Sequence, residues 1–319
     1  MKNKETPLVS VIASCYNQSP YLIETLESIK KQTYKNLQLI MWDDCSTDNS
    51  VELIEKWISD NQVDCVFLKH KKNMGICKSL NEAFTYVKGK YLQTVAMDDI
   101  LLPDKIERHV EMMENSSQKD ALVFSNAHLI DEKSGFYQNK FIAYTYHKNY
   151  LSLQSGNYYQ MLLQANFIPA MSILYKTQVI KQLGGWDEKL KYEDYDMLLR
   201  IAQKYDFIYD DNYSVKYRIV SNGLNSKLTE SASFSYEDAK VYLKHLEEPI
   251  ANNFLKNFLI KLYYSKSEEL DYFRKEYFIR KETQGFSLFC VKNSIPLWIH
   301  KIHRIVKNSL YIIKNNKIY

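Results

Sequence analysis

Residues 91–103 read Tyr-Leu-Gln-Thr-Val-Ala-Met-Asp-Asp-Ile-Leu-Leu-Pro, and this stretch decides the fold. Tyr91 to Ala96 is a short apolar run of strand type, and two adjacent carboxylates, Asp98 and Asp99, stand where it ends. Pro103 opens a helix, with Ile106, Val110 and Met113 at the spacing of a buried face. In an open α/β sheet, ligands bind outside the carboxyl ends of the strands, which is where this pair falls. Two hard oxygen donors suit a divalent cation such as Mn²⁺ or Mg²⁺, and such a cation neutralises a diphosphate. Taken alone, Asp-Asp before a proline equally well caps a turn. Its neighbours decide between the two readings.

Working outward, Leu8 to Cys15 is a nearly continuous apolar run with β-branched residues, as expected of a strand buried on both faces. Ser19-Pro20 offers an N-cap and a first helical position before Leu22, Leu26 and Ile29. Leu37 to Trp42 forms a second strand ending at Asp43-Asp44, and Val51, Ile54 and Ile58 mark a second helix. Cys65 to Leu68 is a third strand, and Gly75 precedes a helix carrying Ile76, Leu80, Ala83, Phe84 and Val87. Strands alternating with helices in this way imply a parallel sheet with right-handed crossovers.

Past about Leu122 the pattern loosens. Strands are expected at Ala121 to Phe124, Met171 to Tyr175 and Val215 to Val220, with a helix through Leu198, Leu199 and Ala202 after Glu193-Asp194. From Ser231 onward the chain reads as helical. A chain of 319 residues, 45% hydrophobic and 25% charged, is an ordinary globular protein with room for a large core. Its net charge of +4 gives no argument for nucleic acid. The five cysteines are scattered without CxxC spacing, which fits a reduced, cytoplasmic setting. Met1-Lys2-Asn3-Lys4 leads into a polar segment, so no signal peptide is expected, and no uncharged run is long enough to span a bilayer.

Five motifs now stand in order: VSVIASCYN (9–17), DDCSTDNS (43–50), NMGICKSLNEA (73–83), AMDDILLP (96–103) and GGWDEKLKYEDYDMLLR (184–200). Together they resemble the inverting, family 2 glycosyltransferases with the GT-A fold, over roughly the first two-thirds of the chain. The resemblance implies a Rossmann-like, mostly parallel sheet flanked by helices, with a helical C-terminal extension. The expected division is a GT-A catalytic domain over 1–230, its nucleotide-sugar half about 1–120 and its acceptor half about 121–230, then a helical region over 231–319. It also implies a nucleotide-diphospho-sugar donor, a divalent metal ion, and a glycan or lipid-linked acceptor of the kind used in bacterial surface-polysaccharide assembly.

By the same resemblance, Ser14, Tyr16 and Asn17 would line the nucleotide pocket, and Asp44 (or Asp43) would hydrogen-bond the base. Asn73 and Lys78 would lie along the donor. Asp98 and Asp99 match the metal-binding acidic motif, with Asp99 the direct ligand and Asp98 nearer the ribose and metal. Glu193 and Asp194 match the late acidic motif, where the Asp serves as general base, and Trp186 and Asp187 would shape the acceptor side. The sequence departs from the family at three places. Ala96 stands where the family often has a first Asp, Leu80 where many relatives have Arg beside the residue matching Asn81, and Val220 where a segment like Tyr217-Arg218-Ile219 often ends in His.

Chemistry supports the reading independently. Departing phosphates need a Lewis acid, and the attacking hydroxyl needs a carboxylate within hydrogen-bond reach. Asp194 falls at the first turn of a helix, whose dipole favours the ionised form; ordinary capping is the competing role, stronger for Glu193. A dinucleotide-dependent dehydrogenase is disfavoured, since Ser14-Cys15-Tyr16-Asn17-Gln18 contains no glycine. A sugar nucleotidylyltransferase would want a Gly-rich basic loop in the same place. A non-catalytic protein keeping the fold is the remaining rival, and the presence of both Asp99 and Asp194 speaks against it.

From Gly285 onward the chain has no Asp or Glu but carries Lys292, Lys301, Arg304, Lys307, Lys314 and Lys317. On a helix, Ile295, Trp298, Ile302, Ile305, Leu310 and Ile313 gather on one side, opposite His300, Lys301, Arg304 and Lys307. That pattern suits a helix lying on an anionic membrane surface, at the inner face of the cell membrane, and equally a stripe packed on the catalytic domain or a homo-oligomer interface.

Overall fold

The computed structural model describes residues 6–142, 153–221, 233–282 and 285–296. The chain divides into two compact units, Met1–Ser231 and Ala232–Tyr319.

The first unit opens as four parallel strands, β1 (Val9–Cys15), β2 (Leu37–Asp43), β3 (Cys65–Lys69) and β4 (Tyr91–Ala96), in the order β3-β2-β1-β4. Between them run α1 (Leu22–Lys30), α2 (Ser50–Asn61) and α3 (Ile76–Phe84). The alternation of a strand sends Val9, Val11, Ala13 and Cys15 to one face. There they join Leu22, Leu26 and Ile29 of α1 and Ile54 and Trp57 of α2 in one core. The connection from β3 to β4 runs back across the sheet, so right-handedness carries α3 to the opposite face. Residues such as Ile12 and Ile40 have no exposure at all, because both faces are covered. Burying each is worth about 1.5–3 kcal/mol.

The second half of the sheet is mixed. Strand β5 (Ile100–Leu101), helix α4 (Lys105–Glu114), strands β6 (Asp120–Ile130) and β7 (Phe136–Lys140), and a short helix α5 (Tyr159–Leu162) follow. After a 3₁₀ turn at Ala170–Ser172 come β8 (Leu174–Lys176), α6 (Thr177–Gln182), α7 (Asp194–Ala202) and β9 (Asp206–Arg218). The full order is β3-β2-β1-β4-β8-β6-β9-β5, with β7 beside β6. Strand β8 lies antiparallel to both β4 and β6, while β6 and β9 are parallel.

Three local expectations are corrected. Helix α1 begins at Leu22 and not at Pro20, because Tyr21 and Leu22 donate their N–H groups to the Gln18 carbonyl. Ser19 caps nothing there; its N–H goes to Asp48. Pro103 does not open α4 directly: two residues before it, Ile100 and Leu101 pair with Lys216 and Val215, and the helix starts at Lys105 behind Asp104. The strand expected at Met171 is a 3₁₀ turn, with β8 starting at Leu174.

The second unit is helical: α8 (Ser233–Leu243), α9 (Pro249–Ser265), α10 (Leu270–Phe278) and α11 (Phe286–Lys292). Pro249 sits in the first turn of α9, where its missing N–H leaves no helical bond unmade. Phe258 meets Tyr236 and Phe273 edge-on at 5.5 and 5.1 Å, and Leu255, Leu259 and Leu262 of α9 are buried. Of the expected basic tail, Trp298 and everything after it lie outside the described residues.

Candidate active site

The ends of β1, β2 and β4 are level, since Cys15 pairs with Asp43 and Ser14 with both Trp42 and Ala96. The loops after β1 and β2 are stapled together. Asn17, in the left-handed region at φ 53°, donates its N–H to Ser46 Oγ at 2.8 Å and accepts the Thr47 N–H on Oδ1 at 2.7 Å. Asp43 accepts Ser46 N–H at 2.8 Å and Ser46 Oγ–H at 2.5 Å, so its carboxylate shapes its own turn. Ser14 is half-buried with Oγ 3.4 Å from the Val95 carbonyl, and Tyr16 is exposed.

Asp44 reaches elsewhere. It takes the N–H groups of Met74 at 2.8 Å and Gly75 at 2.9 Å, and lies 2.8 Å from His70 Nδ1. Ser79 Oγ adds a longer contact at 3.4 Å. A carboxylate so engaged ties the end of β2 to the start of α3, where Gly75 adopts φ 82°. The expected base contact by Asp44 therefore competes with four local partners. Asn73 and Lys78 are exposed at that same end, with no polar partner described.

Asp98 and Asp99 occupy the turn between β4 and β5. Asp99 is 2% exposed, and its Oδ1 accepts the Arg218 backbone N–H at 2.9 Å. Thr25 Oγ1–H donates to the Asp99 carbonyl at 2.6 Å. Burial pushes both carboxyls up, Asp99 well above the usual range with the Asp98 charge beside it, while the Gln18 side chain and Arg218 oppose the rise at Asp98. Among the described residues no group of three or more His, Cys, Asp or Glu could hold a metal. Asp98 and Asp99 nevertheless fit Mg²⁺ or Mn²⁺, which are held by one or two carboxylates with phosphate and water completing the shell.

Glu193 and Asp194 stand at the start of α7. Asn166 Nδ2–H donates to Asp194 Oδ2 at 2.8 Å, and the Tyr195 N–H to Oδ1 at 2.7 Å. Burial raises the Asp194 carboxyl, and burial with the Asp194 charge raises Glu193 to about 8. Two expectations change here. Glu193 holds the N-cap position but makes no side-chain cap bond. Burial also moves the Asp194 carboxyl upward, opposite to the direction that a helix dipole favours.

The Gly184-Gly185-Trp186 loop is held from two sides. Asn81 accepts the Trp186 N–H at 2.9 Å and donates to the Trp186 carbonyl at 2.8 Å. Gly185 sits at φ 78°, and a Cβ there would come within 2.5 Å of Asn81 Oδ1. From below, Arg200 donates to the Leu183 and Gly185 carbonyls at 2.9 Å each and pairs with buried Asp196 at 2.8 Å. Trp186, expected on the acceptor side, is 5% exposed and packs edge-on against Phe84 at 5.6 Å. Asp187 accepts the Lys189 N–H at 3.0 Å. Cys77 Sγ lies 3.4 Å from the Tyr192 carbonyl, so α3 supports the approach to Glu193 as well.

The structure thus gathers Ser14, Asn17, Asp43 and Asp44 with the Asp98-Asp99 turn at the C-terminal ends of β1, β2 and β4, and joins Trp186 to α3 through Asn81. Sequence pattern alone gives no role to the supporting residues Asn81, Asn166, Arg200 and Arg218. Only their positions inside the five motifs, or beside the one departing at Val220, marked three of them; nothing marked Asn166.

Comparison with known proteins gives the family and the fold. Residues 10–184 match the model of "Glycosyl transferase family 2". An uncharacterised glycosyltransferase of Methanocaldococcus jannaschii is 31% identical over 253 residues, spanning 76% of this chain and 81% of that protein. The Staphylococcus aureus TarS 1-349 structure in complex with UDP-GlcNAc superposes with a TM-score of 0.57 at 15% identity, covering 90% of this chain and 91% of the other. Mannosyltransferase PcManGT from Pyrobaculum calidifontis, in complex with GDP-Man and Mn²⁺, gives 0.57 at 15% identity over 96% and 84%. At these identities the two structures speak for the fold, which is the GT-A arrangement.

Proposed function

This chain belongs to glycosyl transferase family 2, and from that premise we propose that it moves a sugar from a nucleotide-diphospho-sugar, with inversion, to a hydroxyl of a growing glycan or lipid-linked acceptor. The observation that carries the reading is the buried Asp98-Asp99 turn at the end of β4, with Asp99 held through one oxygen only. The TarS structure in complex with UDP-GlcNAc and the PcManGT structure in complex with GDP-Man and Mn²⁺ support a nucleotide-sugar and a divalent cation for this chain too. When bound, that cation would neutralise the departing diphosphate. Asp98 and Asp99 would hold it, and the loops carrying Ser14, Tyr16, Asn17 and Asp43 would take the nucleotide, with Asn73 and Lys78 along the donor.

Asp194 receives the acceptor proton. It is the better supplied of the late acidic pair, since Asn166 and the Tyr195 N–H favour its ionised form. Glu193, raised to about 8, keeps its proton at neutral pH and leaves the charge to its neighbour. Residues 1–230 make the catalytic part and 231–319 the helical region. Its setting is assembly of a surface polysaccharide such as capsule or lipopolysaccharide at the inner face of the membrane, reached through the basic tail. Among the described residues no helix is long and apolar enough to cross a membrane.

A panel of UDP-, GDP- and dTDP-sugars tests the reading. Metal-dependent release of free nucleoside diphosphate from one of them is expected, and the anomeric configuration of the transferred sugar, read by NMR, should be opposite to the donor's. Retention of configuration, or no turnover of any donor with Mn²⁺ or Mg²⁺, would overturn it.

A further inference from the structure

Arg218 ends β9, and its backbone N–H and side chain act on the same turn. The N–H donates to Asp99 Oδ1 at 2.9 Å, and Nε–H donates to the Asp98 carbonyl at 2.9 Å. One outer nitrogen, Nη1, reaches the Asp131 carbonyl and Ser134 Oγ at 3.0 Å each. The other, Nη2, pairs with Glu24 of α1. The guanidinium lies 4.8 Å from the centre of the Tyr21 ring and is buried at 2% exposure. Four segments distant in sequence therefore meet on one side chain: α1, the Asp98-Asp99 turn, the β6–β7 turn and the end of β9.

We propose that Arg218 is the positioning residue of the cation site, clamping the Asp98-Asp99 turn so that Asp99 offers a cation one oxygen, Oδ2, while Oδ1 stays committed to the β9 backbone. This rests on the donor-site reading above and adds to it a residue and a denticity. The shape of the side chain is what matters. A planar guanidinium presents several N–H groups in a fixed fork, whereas a lysine ammonium is a point charge on a flexible stem. Lysine would keep the charge but cannot reach the Asp98 carbonyl, the Asp131 carbonyl, Ser134 and Glu24 together. A turn freed from that fork samples other orientations, and cation affinity falls because the ligands are no longer arranged beforehand.

The test compares Mn²⁺ uptake in wild type and Arg218→Lys by electron paramagnetic resonance, with UDP and with GDP as probes. Wild type is expected to take up Mn²⁺ with one of them, and Arg218→Lys to need at least tenfold more Mn²⁺ for half-saturation. Circular dichroism at the same temperature establishes that the variant is folded, and a purely structural residue would lower the melting temperature without moving the Mn²⁺ requirement. Folded Arg218→Lys with wild-type Mn²⁺ affinity overturns the role of Arg218 alone. Wild type that takes up Mn²⁺ with neither nucleotide overturns the donor-site reading and this inference with it. Should Arg218→Lys not fold, Glu24→Gln with Ser134→Ala leaves Arg218 in place and removes two of its outer supports. That pair is expected to raise the Mn²⁺ requirement at least threefold, and an unchanged requirement overturns the proposal.

Discussion

The replacement Asp44→Asn separates the base contact that the resemblance implies for this residue from the tie between β2 and α3 that its hydrogen bonds make. The carboxylate accepts two backbone N–H groups, from Met74 and Gly75, and lies against His70 Nδ1, all at 2.8–2.9 Å. A hydrogen bond to a charged group is worth about 1.5–3 kcal/mol. Asparagine keeps one acceptor oxygen and turns an NH₂ group toward the remaining donors, so at least one such bond is lost and one donor is left buried. The net loss is about 3 kcal/mol, and at roughly 2–4 °C per kcal/mol for a domain of this size the melting temperature should fall by about 6–12 °C. Thermal unfolding followed by circular dichroism reads the first number. Calorimetric titration with UDP and GDP in Mn²⁺, carried out well below the transition, reads the second, and nucleotide affinity should change little. A fall of less than about 2 °C, accompanied by loss of nucleotide binding, would refute the argument and return Asp44 to the base pocket.

Other outcomes follow from the same geometry. Asp99→Asn keeps the Arg218 N–H acceptor but removes a charge, so the folded variant should lose Mn²⁺-dependent nucleotide binding in calorimetry. Asp194→Asn should lower transfer by roughly 10²–10⁴-fold with donor affinity nearly unchanged, read as initial rates against donor concentration. Glu193 is raised from 4.5 to about 8 by folding, so its ionisation opposes the folded state: the stability it permits is complete below pH 4.5 and is lost as pH rises through 8. Melting temperature should therefore fall between those values, and Glu193→Gln should flatten that part of the profile. Truncation after residue 284 should release the protein from anionic vesicles and leave donor hydrolysis intact, with high salt weakening vesicle binding of the full chain.

Much of the first unit is legible in the sequence because its strands are buried on both faces. Tyr91–Ala96 emerges residue for residue, since Tyr91, Leu92, Thr94 and Val95 favour a strand and Asp98-Asp99 follow its end. β5 was not legible: two residues make a strand only because Lys216 and Val215 lie opposite them. The buried face of α4 was read as Ile106, Val110 and Met113, and these are buried. Lys105 and His109 are buried beside them, which no pattern of charge would suggest. His109 Nε2 lies 3.3 Å from Asp210 on β9, and burial holds Lys105 well below the usual lysine range. The same limit hid Arg218. Val220 stands out in the sequence as the departure from the family, while the contacts of Arg218 reach back 84 to 194 residues and exist only once the sheet has formed.

The two acidic pairs show how burial is answered in two ways. Asp98 and Asp99 are both raised, and a cation would relieve both at once, with Arg218 nearby meanwhile drawing them down. Glu193 and Asp194 are relieved one at a time. Asp194 has Asn166 and the Tyr195 N–H to stabilise its charge, whereas only the backbone N–H of Glu193 itself offsets the rise there. The first charge therefore settles on Asp194, and its presence keeps the proton on Glu193. A helix dipole contributes about 0.3–1 kcal/mol at an exposed site, less than one pH unit, and could not have produced this division alone. Paired burial with unequal hydrogen bonding can, and it favours the charge on Asp194, the proposed base, while Glu193 keeps its proton.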